Sequence, residues 1–441
     1  MAYMALRNLR SPIPNLGLTA WLDHQQRVHP RAIELGLERV RAVWQQLGAP
    51  MPARFVVTVG GTNGKGSTVA FLESMLRAVG FRVGAYTSPH LVRYNERVRV
   101  DGVEAGDATL IDAFERIEAA RGDVALTYFE YGTLAALLIF AGASLDVALL
   151  EVGLGGRLDA VNIVDADVAI VTTVDLDHRD WLGNDRDSIG REKAGIFRAG
   201  RPAVIGEADP PRGLLDEAAR VGADLRIAGR DFRIELRESD WSWRGDGVEL
   251  VLPHPTLGAP CQHANAAAAI AALHMLASQL GWHPAAVARG VAEAHVDARL
   301  QRFAGPPELI IDVAHNPQAA CVLGEWLRVH AASGRTHAVF GALADKDVGG
   351  IVEPLRDVVD AWHLAGLDRD SPRGLAAAAL EGLVQPSLAD IDIAGRHDAV
   401  ETALAAAFRS AAAADRIVAF GSFFVAAAAL RFIDPSNADS G

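Results

Sequence analysis

Phe55-Val56-Val57-Thr58-Val59 runs without a break into Gly60-Gly61-Thr62-Asn63-Gly64-Lys65-Gly66-Ser67, and a helical pattern follows to Val79. An apolar β-branched strand, a glycine-rich turn, a lysine, a hydroxyl and a helix form the layout that cradles a triphosphate. The glycines let successive backbone N–H groups face one anion, and the helix N-terminus adds partial positive charge. On this reading Thr62, Asn63, Gly64 and Gly66 line the phosphates, Lys65 reaches the outer ones and Ser67 is placed to ligate Mg²⁺. The match to the usual phosphate-loop pattern is inexact, because position 59 is Val and Gly66 separates Lys65 from Ser67. A plain glycine turn with a solvated lysine is the alternative; the complete strand–loop–helix context weighs against it.

Outward from this loop, short apolar runs alternate with Ala/Leu-rich runs, which predicts an α/β fold with a mostly parallel sheet. Strands are expected at Phe55–Val59, Arg82–Thr87, Asp146–Val152, Asp167–Val174 and Pro202–Ile205, and helices at Ser67–Val79, Ala108–Ala120, Tyr131–Ala141, Ser188–Arg198 and Ala264–Leu280. Leu225–Ile227, Phe232–Leu236 and Val248–Leu252 read as an antiparallel patch. A fresh series starts with Leu309–Asp312, Ala338–Gly341, Ala361–Ala365 and Ile417–Phe420. The stretch with Gly305-Pro306-Pro307 marks a linker. The predicted organisation is a P-loop ATPase-like N-terminal domain over 1–296, a linker over 297–308 and a smaller Rossmann-like α/β domain over 309–441.

Ligands of open parallel sheets bind beyond the carboxyl ends of the strands. Four expected strands end in polar groups: Thr87-Ser88-Pro89-His90, Glu151 before Gly153-Leu154-Gly155-Gly156-Arg157, Asp175-Leu176-Asp177-His178, and Asp312 before His315-Asn316. A carboxylate in an apolar strand is costly unless paired or coordinated. Ser88, Glu151 and His178 together offer hydroxyl, carboxylate and imidazole ligands. The bland readings are a turn serine, a Glu151–Arg157 ion pair and a histidine capping a strand end.

With 441 residues the chain can bury a large core, and 22% charged against 50% hydrophobic residues excludes a disordered chain. A net charge of −13 argues against nonspecific nucleic-acid binding. Cys261 and Cys321 make neither a disulfide framework nor a zinc set, and fit a reducing cytosol. Met1 to Leu18 lacks the apolar core of a signal peptide, and no apolar run is long enough to span a bilayer, so a cytoplasmic chain without a membrane partner is expected.

Several blocks resemble the folylpolyglutamate synthases of the Mur ligase superfamily, in particular the bacterial type that also makes dihydrofolate. They include Ile33-Glu34-Leu35-Gly36, Gly61–Ser67, Ser88-Pro89-His90-Leu91, Thr127-Tyr128-Phe129-Glu130, Leu150–Ala160, Asp177–Gly183, Gly190-Arg191-Glu192-Lys193-Ala194-Gly195, His263–Ala267, Asp312–Pro317 and Asp345-Lys346-Asp347. The resemblance covers nearly the whole chain. It implies a ligase in which ATP phosphorylates a pterin carboxylate and the amine of L-glutamate attacks the acyl phosphate. Dihydropteroate and tetrahydrofolate are the implied acceptors, and the family's members are usually monomers. By the same resemblance Ser88, Glu151 and His178, with Ser67, hold Mg²⁺, of which two ions are expected, with K⁺ a further candidate. Lys193 matches a lysine carried as a carbamate, so Lys65, Lys193 and His178 are the implied catalytic groups. Asn265, Arg299, Asp312 and His315 match nucleotide contacts, which would put ATP between the two domains. Ile33, Glu34, Leu35, Thr127, Tyr128, Phe129, Glu130, Leu158, Asp159 and Ala160 match the pterin pocket. Asp297-Ala298 replaces a Pro-Gly that commonly precedes the linker arginine, and Arg179 replaces a frequent Thr.

For Arg93, Arg97 and Arg99 two readings stand: contacts to substrate carboxylates, or a salt-bridged hairpin face. Gly421-Ser422-Phe423 and Asp345-Lys346 are candidates for the glutamate site. Alternative functions are chain extension of folates alone, another Mur-type amide ligase, and a nucleotide-driven switch. The phosphate loop begins too early for the extra N-terminal domain of peptidoglycan ligases.

Overall fold

Eight strands build the first sheet: β1 (Ala53–Gly60), β2 (Val83–Tyr86), β3 (Val98–Val100), β4 (Val103–Glu104), β5 (Leu145–Glu151), β6 (Val168–Val171), β7 (Pro202–Ile205) and β8 (Asp224–Ile227). Their order is β4-β3-β2-β5-β1-β6-β7-β8. From β2 to β8 all neighbours are parallel, and β3 and β4 add an antiparallel edge. Val and Ile fill the central strands because helices cover both faces of such a sheet. The computed structural model describes residues 17–29, 31, 33–385 and 392–434; most of the segment read as lacking a signal peptide lies outside them.

β9 (Phe232–Leu236), β10 (Trp241–Gly245) and β11 (Val248–Leu252) form a separate antiparallel sheet. Here the sequence reading needs correction. Leu225–Ile227 belongs to the parallel sheet as its edge strand β8, and the middle strand of the patch is β10, whose Trp241 and Trp243 are buried. The helix expected over Ala264–Leu280 is two helices, Gln262–Met275 and Ala277–Leu280.

The third sheet holds β12 (Gln301–Phe303), β13 (Glu308–Ile311), β14 (Thr336–Phe340), β15 (Ala361–Ala365), β16 (Ile393–His397) and β17 (Arg416–Phe420), in the order β12-β13-β17-β14-β15-β16. All pairs are parallel except β12 with β13. Part of the stretch read as linker is therefore the edge strand β12. The chain divides into two units: residues up to 90, 94–256 and 263–295 in one, and 91–93, 257–262 and 296 onward in the other.

Candidate active site

Strand ends of the first unit carry the candidate groups. β1 stops at Gly60 and the helix Lys65–Val79 starts five residues later. Gly64 caps that helix in the left-handed region at φ 84°. A side chain there would overlap the amide of Asn265, which the helix Gln262–Met275 leans onto the loop. The residues beyond β6 hold the loop from its other side. Thr62 N donates to Thr173 O at 2.7 Å, Asn63 N to Thr173 Oγ1 at 3.1 Å, and Thr172 Oγ1 to Asn63 O at 2.6 Å. Lys65 Nζ donates to the carbonyls of Gly61 and Thr62, both at 3.1 Å. Ser67 Oγ is buried without a protein partner, an oxygen available to a cation or phosphate-bound water.

Because β2 and β5 are neighbours, their ends bring Ser88 beside Glu151: Ser88 N donates to Glu151 Oε2 at 3.0 Å. Glu151 is 4% exposed. Arg157, the partner offered for it in the bland reading, instead pairs with Glu192 at 2.8 Å. His178 follows the end of β6, adopts φ 51° and donates its N–H to Asp177 Oδ1 at 2.8 Å. Among the described residues no three His, Cys, Asp or Glu side chains form a metal cage. The expected set has only two such residues, its other members being the hydroxyls of Ser67 and Ser88, which suit a hard cation.

Lys193 is buried. Burial, and then the charge of Lys65, bring its amine down to about 7, opposed by Asp177 and Glu207. Glu207 is a group the sequence reading passes over. It lies two residues beyond β7, so the strand-end rule that marks Glu151 would have marked it too. Burial raises its carboxyl to about 7, against the opposing pull of Arg186.

The expected pterin residues gather around Arg39, which pairs with Glu34 at 2.8 Å and with Glu130 at 3.2 Å. Thr127 and Glu130 also form a capping box on the helix Tyr128–Gly142. Gly36 N bonds Leu158 O at 3.4 Å, which ties the segment after Ile33-Glu34-Leu35 to Leu158–Ala160. Phe129 packs on Gly153 and lies 6.0 Å from Tyr86, ring to ring. Tyr128 meets Tyr94 edge-on, and Arg97 stands over both rings. Asp159 accepts from Leu154 N and Val161 N, and burial raises its carboxyl to about 6. Of the basic run, Arg99 pairs with Glu73 at 2.8 Å, and Arg97 Nε donates to His90 Nδ1 at 2.8 Å.

The second unit holds a cluster of its own. Asp312 accepts from Leu300 N and Ala314 N, each at 2.7 Å, and burial pushes its carboxyl up while Arg299 opposes. Arg299 stands over the Phe423 ring at 5.4 Å, and His315 lies 5.7 Å from the same ring. Ser422 caps the helix Phe423–Ile433, and Asp345 faces Arg373 at 3.4 Å.

Residues 59–273 match the family described as the Mur ligase middle domain, and 298–423 the family described as Mur ligase, glutamate ligase domain. Dihydrofolate synthase/folylpolyglutamate synthase of Escherichia coli (strain K12) is 46% identical over 426 residues, 96% of this chain and 97% of that protein. Its namesake in Haemophilus influenzae is 38% identical over 431 residues, 93% of this chain and 96% of that one. The solved E. coli structure in complex with DHPP and ADP matches with a TM-score of 0.90 at 45% identity, covering 97% of this chain and 100% of that chain. A bifunctional folylpolyglutamate synthase/dihydrofolate synthase with Mn, AMPPNP and L-glutamate bound matches at 0.87 and 45%, covering 96% and 100%.

Proposed function

The chain belongs to the dihydrofolate synthase/folylpolyglutamate synthase family of Mur ligases, and from that premise we propose that it joins L-glutamate to dihydropteroate and to tetrahydrofolate. ATP phosphorylates the acceptor carboxylate, the glutamate amine attacks the acyl phosphate, and the tetrahedral adduct collapses to an amide, ADP and phosphate. The observation that carries this reading is the convergence of β1, β2, β5 and β6 ends: they deliver the phosphate loop, Ser88, Glu151 and the Asp177–His178 turn to the carboxyl-end side of four adjacent parallel strands.

Lys65 and the amides of Thr62–Ser67 hold the phosphates, and Asn265, Arg299, Asp312 and His315 serve the nucleotide. Ser67, Ser88, Glu151 and His178 would hold Mg²⁺, a fit supported by the partnerless Ser67 oxygen and the buried Glu151 carboxylate. A divalent ion there neutralises phosphate charge and orients the transferring group. With an amine near neutrality, Lys193 can take up CO₂ as a carbamate, turning a cation into a ligand for a second Mg²⁺. K⁺ is a further cation of this reading. Glu34, Glu130 and Arg39 form the polar side of the pterin pocket and Phe129 its flat apolar side, with Ile33, Leu35, Thr127, Tyr128 and Leu158–Ala160 around them.

Residues 1–296 thus carry ATP and pterin binding, and 309–441 the ligase domain. The proposal places the protein in the cytoplasm as a monomer; its thiols, Cys261 and Cys321, are unbridged. Among the described residues no helix is long and apolar enough to cross a membrane. The test is glutamate-dependent ATP consumption with dihydropteroate and with tetrahydrofolate as separate acceptors. Turnover of both is expected. Activity with tetrahydrofolate alone would remove the first half of the proposal, and activity with neither would remove it whole.

A further inference from the structure

One residue, Val174, ties together segments that the sequence reading treats separately. Its neighbours grip the phosphate loop: Thr173 accepts from Thr62 N and Asn63 N, and Asp175 N donates to Thr62 Oγ1 at 3.0 Å. Val174 itself is held by two other side chains. Its N–H donates to Glu207 Oε1 at 3.1 Å, and its carbonyl accepts from Arg186 Nε at 2.8 Å. Arg186 Nη2 then reaches Glu207 Oε2 at 3.1 Å and Asp209 O at 2.9 Å. The ring closes on itself, and Glu207 is only 14% exposed.

Arg186 opens the helix Arg186–Ala194. Lys193 comes seven residues later, two turns on and on the same face. Asp177 and His178 follow Val174 by three and four residues. We propose that Arg186 and Glu207 are positioning residues, a bracket that fixes the helix bearing Lys193 and the turn bearing His178 against the phosphate loop. The proposal rests on the roles given above to Lys193 and His178. A charge-assisted pair with backbone bonds on both sides, its carboxylate 14% and its guanidinium 39% exposed, holds geometry better than an ion pair without such bonds. Small displacements of catalytic groups are costly in rate. The loop keeps its own bonds to Thr172, Thr173 and Asp175, so nucleotide affinity is spared.

Full-length Glu207→Ala and Arg186→Ala are compared with wild type for kcat, KM for ATP, the Mg²⁺ concentration at half-maximal rate, and the ¹³C carbamate signal in labelled bicarbonate. We expect kcat to fall about tenfold or more and the Mg²⁺ requirement to rise several-fold in both, and the carbamate signal to weaken in Arg186→Ala, with KM for ATP within about threefold. Glu207→Gln and Arg186→Lys, which keep part of the bonding, fall between; they decide on the same readouts if an alanine variant does not fold. Wild-type kcat and Mg²⁺ requirement in the folded variants, or a lower melting temperature as the only change, overturns the bracket. If wild type gives no carbamate signal and Lys193→Ala keeps its rate, the Lys193 reading fails by itself. The bracket is then judged on kcat and Mg²⁺ in the 186 and 207 variants.

Discussion

Lys193 lies within electrostatic reach of Lys65, so the helix lysine and the phosphate-loop lysine oppose each other's charge. Burial is the larger influence on Lys193, and the two together bring its amine to about 7 from an ordinary 10.5. A free amine attacks CO₂, losing a proton as the N–C bond forms, and an ammonium has no lone pair to do so; the site thus makes at neutral pH the form that carbamylation needs.

Lys193→Met is expected to change activity and stability in opposite directions. If Lys193 carries the proposed carbamate, its loss lowers kcat by about a hundredfold or more, of the order seen when a preorganised catalytic group is removed, and bicarbonate does not restore it. Stability moves the other way. Between pH 7 and 10.5 the unfolded chain keeps a proton that the folded lysine has lost, so wild-type stability climbs with pH across that window, and the full penalty is present below it. Methionine removes the penalty. Urea midpoints in CO₂-free buffer therefore show a more stable variant at pH 7 whose advantage shrinks toward pH 10. Wild-type turnover in the variant would remove the carbamate role.

Glu151→Ala and His178→Ala are expected to shift the Mg²⁺ titration of the rate to higher concentration by tenfold or more on the scale of lost metal ligation. Ser67→Ala shifts it less, because a neutral hydroxyl contributes less to cation binding than a carboxylate. Titration curves that overlay the wild type would refute the ligand assignment.

Two glycines at the ends of one helix separate catalysis from stability. Gly64 is left-handed and meets Asn265, whereas Gly80, with φ 105°, faces open space. Gly80→Ala is expected to cost about 1 kcal/mol in stability and leave kcat/KM unchanged. Gly64→Ala adds a collision in the phosphate loop and is expected to lower kcat/KM for ATP by about a hundredfold. Equal kinetic effects at both positions would contradict the placement of Asn265 against the loop.

The phosphate loop was readable from the sequence because its physics is local: glycine, lysine and hydroxyl sit within eight residues of a β-branched strand. Ser88, Glu151 and His178 needed one more idea, that polar groups at parallel strand ends face a ligand. The same idea applied to β7 leads to Glu207. Arg186 had no such signal, since nothing in a helix-opening arginine tells that it closes a ring around Val174. Three of the missed strands, β4, β12 and β16, are at sheet edges. β16 reads Ile-Ala-Gly-Arg-His, and β12 sits in a Gly/Pro-rich stretch; an edge strand buries too little to show a pattern. β10 did carry a signal in the alternation of Trp241 and Trp243, the period of a half-buried strand.

The core of the second unit is expected to be acid-sensitive. His337, His363 and His397 step across β14, β15 and β16 with ring centres 5.8 and 5.6 Å apart. His363 is 2% exposed and neither of its nitrogens has a protein partner. Burial first, then His337 and His397, hold it down to about 4, against 6.5 in an exposed chain. Between those values the unfolded state binds the proton more readily, so the contribution of this residue is intact above pH 6.5 and is lost as the pH falls toward 4. At about 1.4 kcal/mol per pH unit, the loss reaches about 3 kcal/mol. Replacing His363 by Phe, a neutral ring of similar shape, removes that dependence. Urea denaturation of wild type and His363→Phe is expected to show a constant stability difference above pH 7 that moves in the variant's favour by about 3 kcal/mol on acidification to pH 4. A pH-independent difference would mean that the folded core accepts this proton as readily as water does, which a partnerless imidazole among two others in an apolar sheet should not.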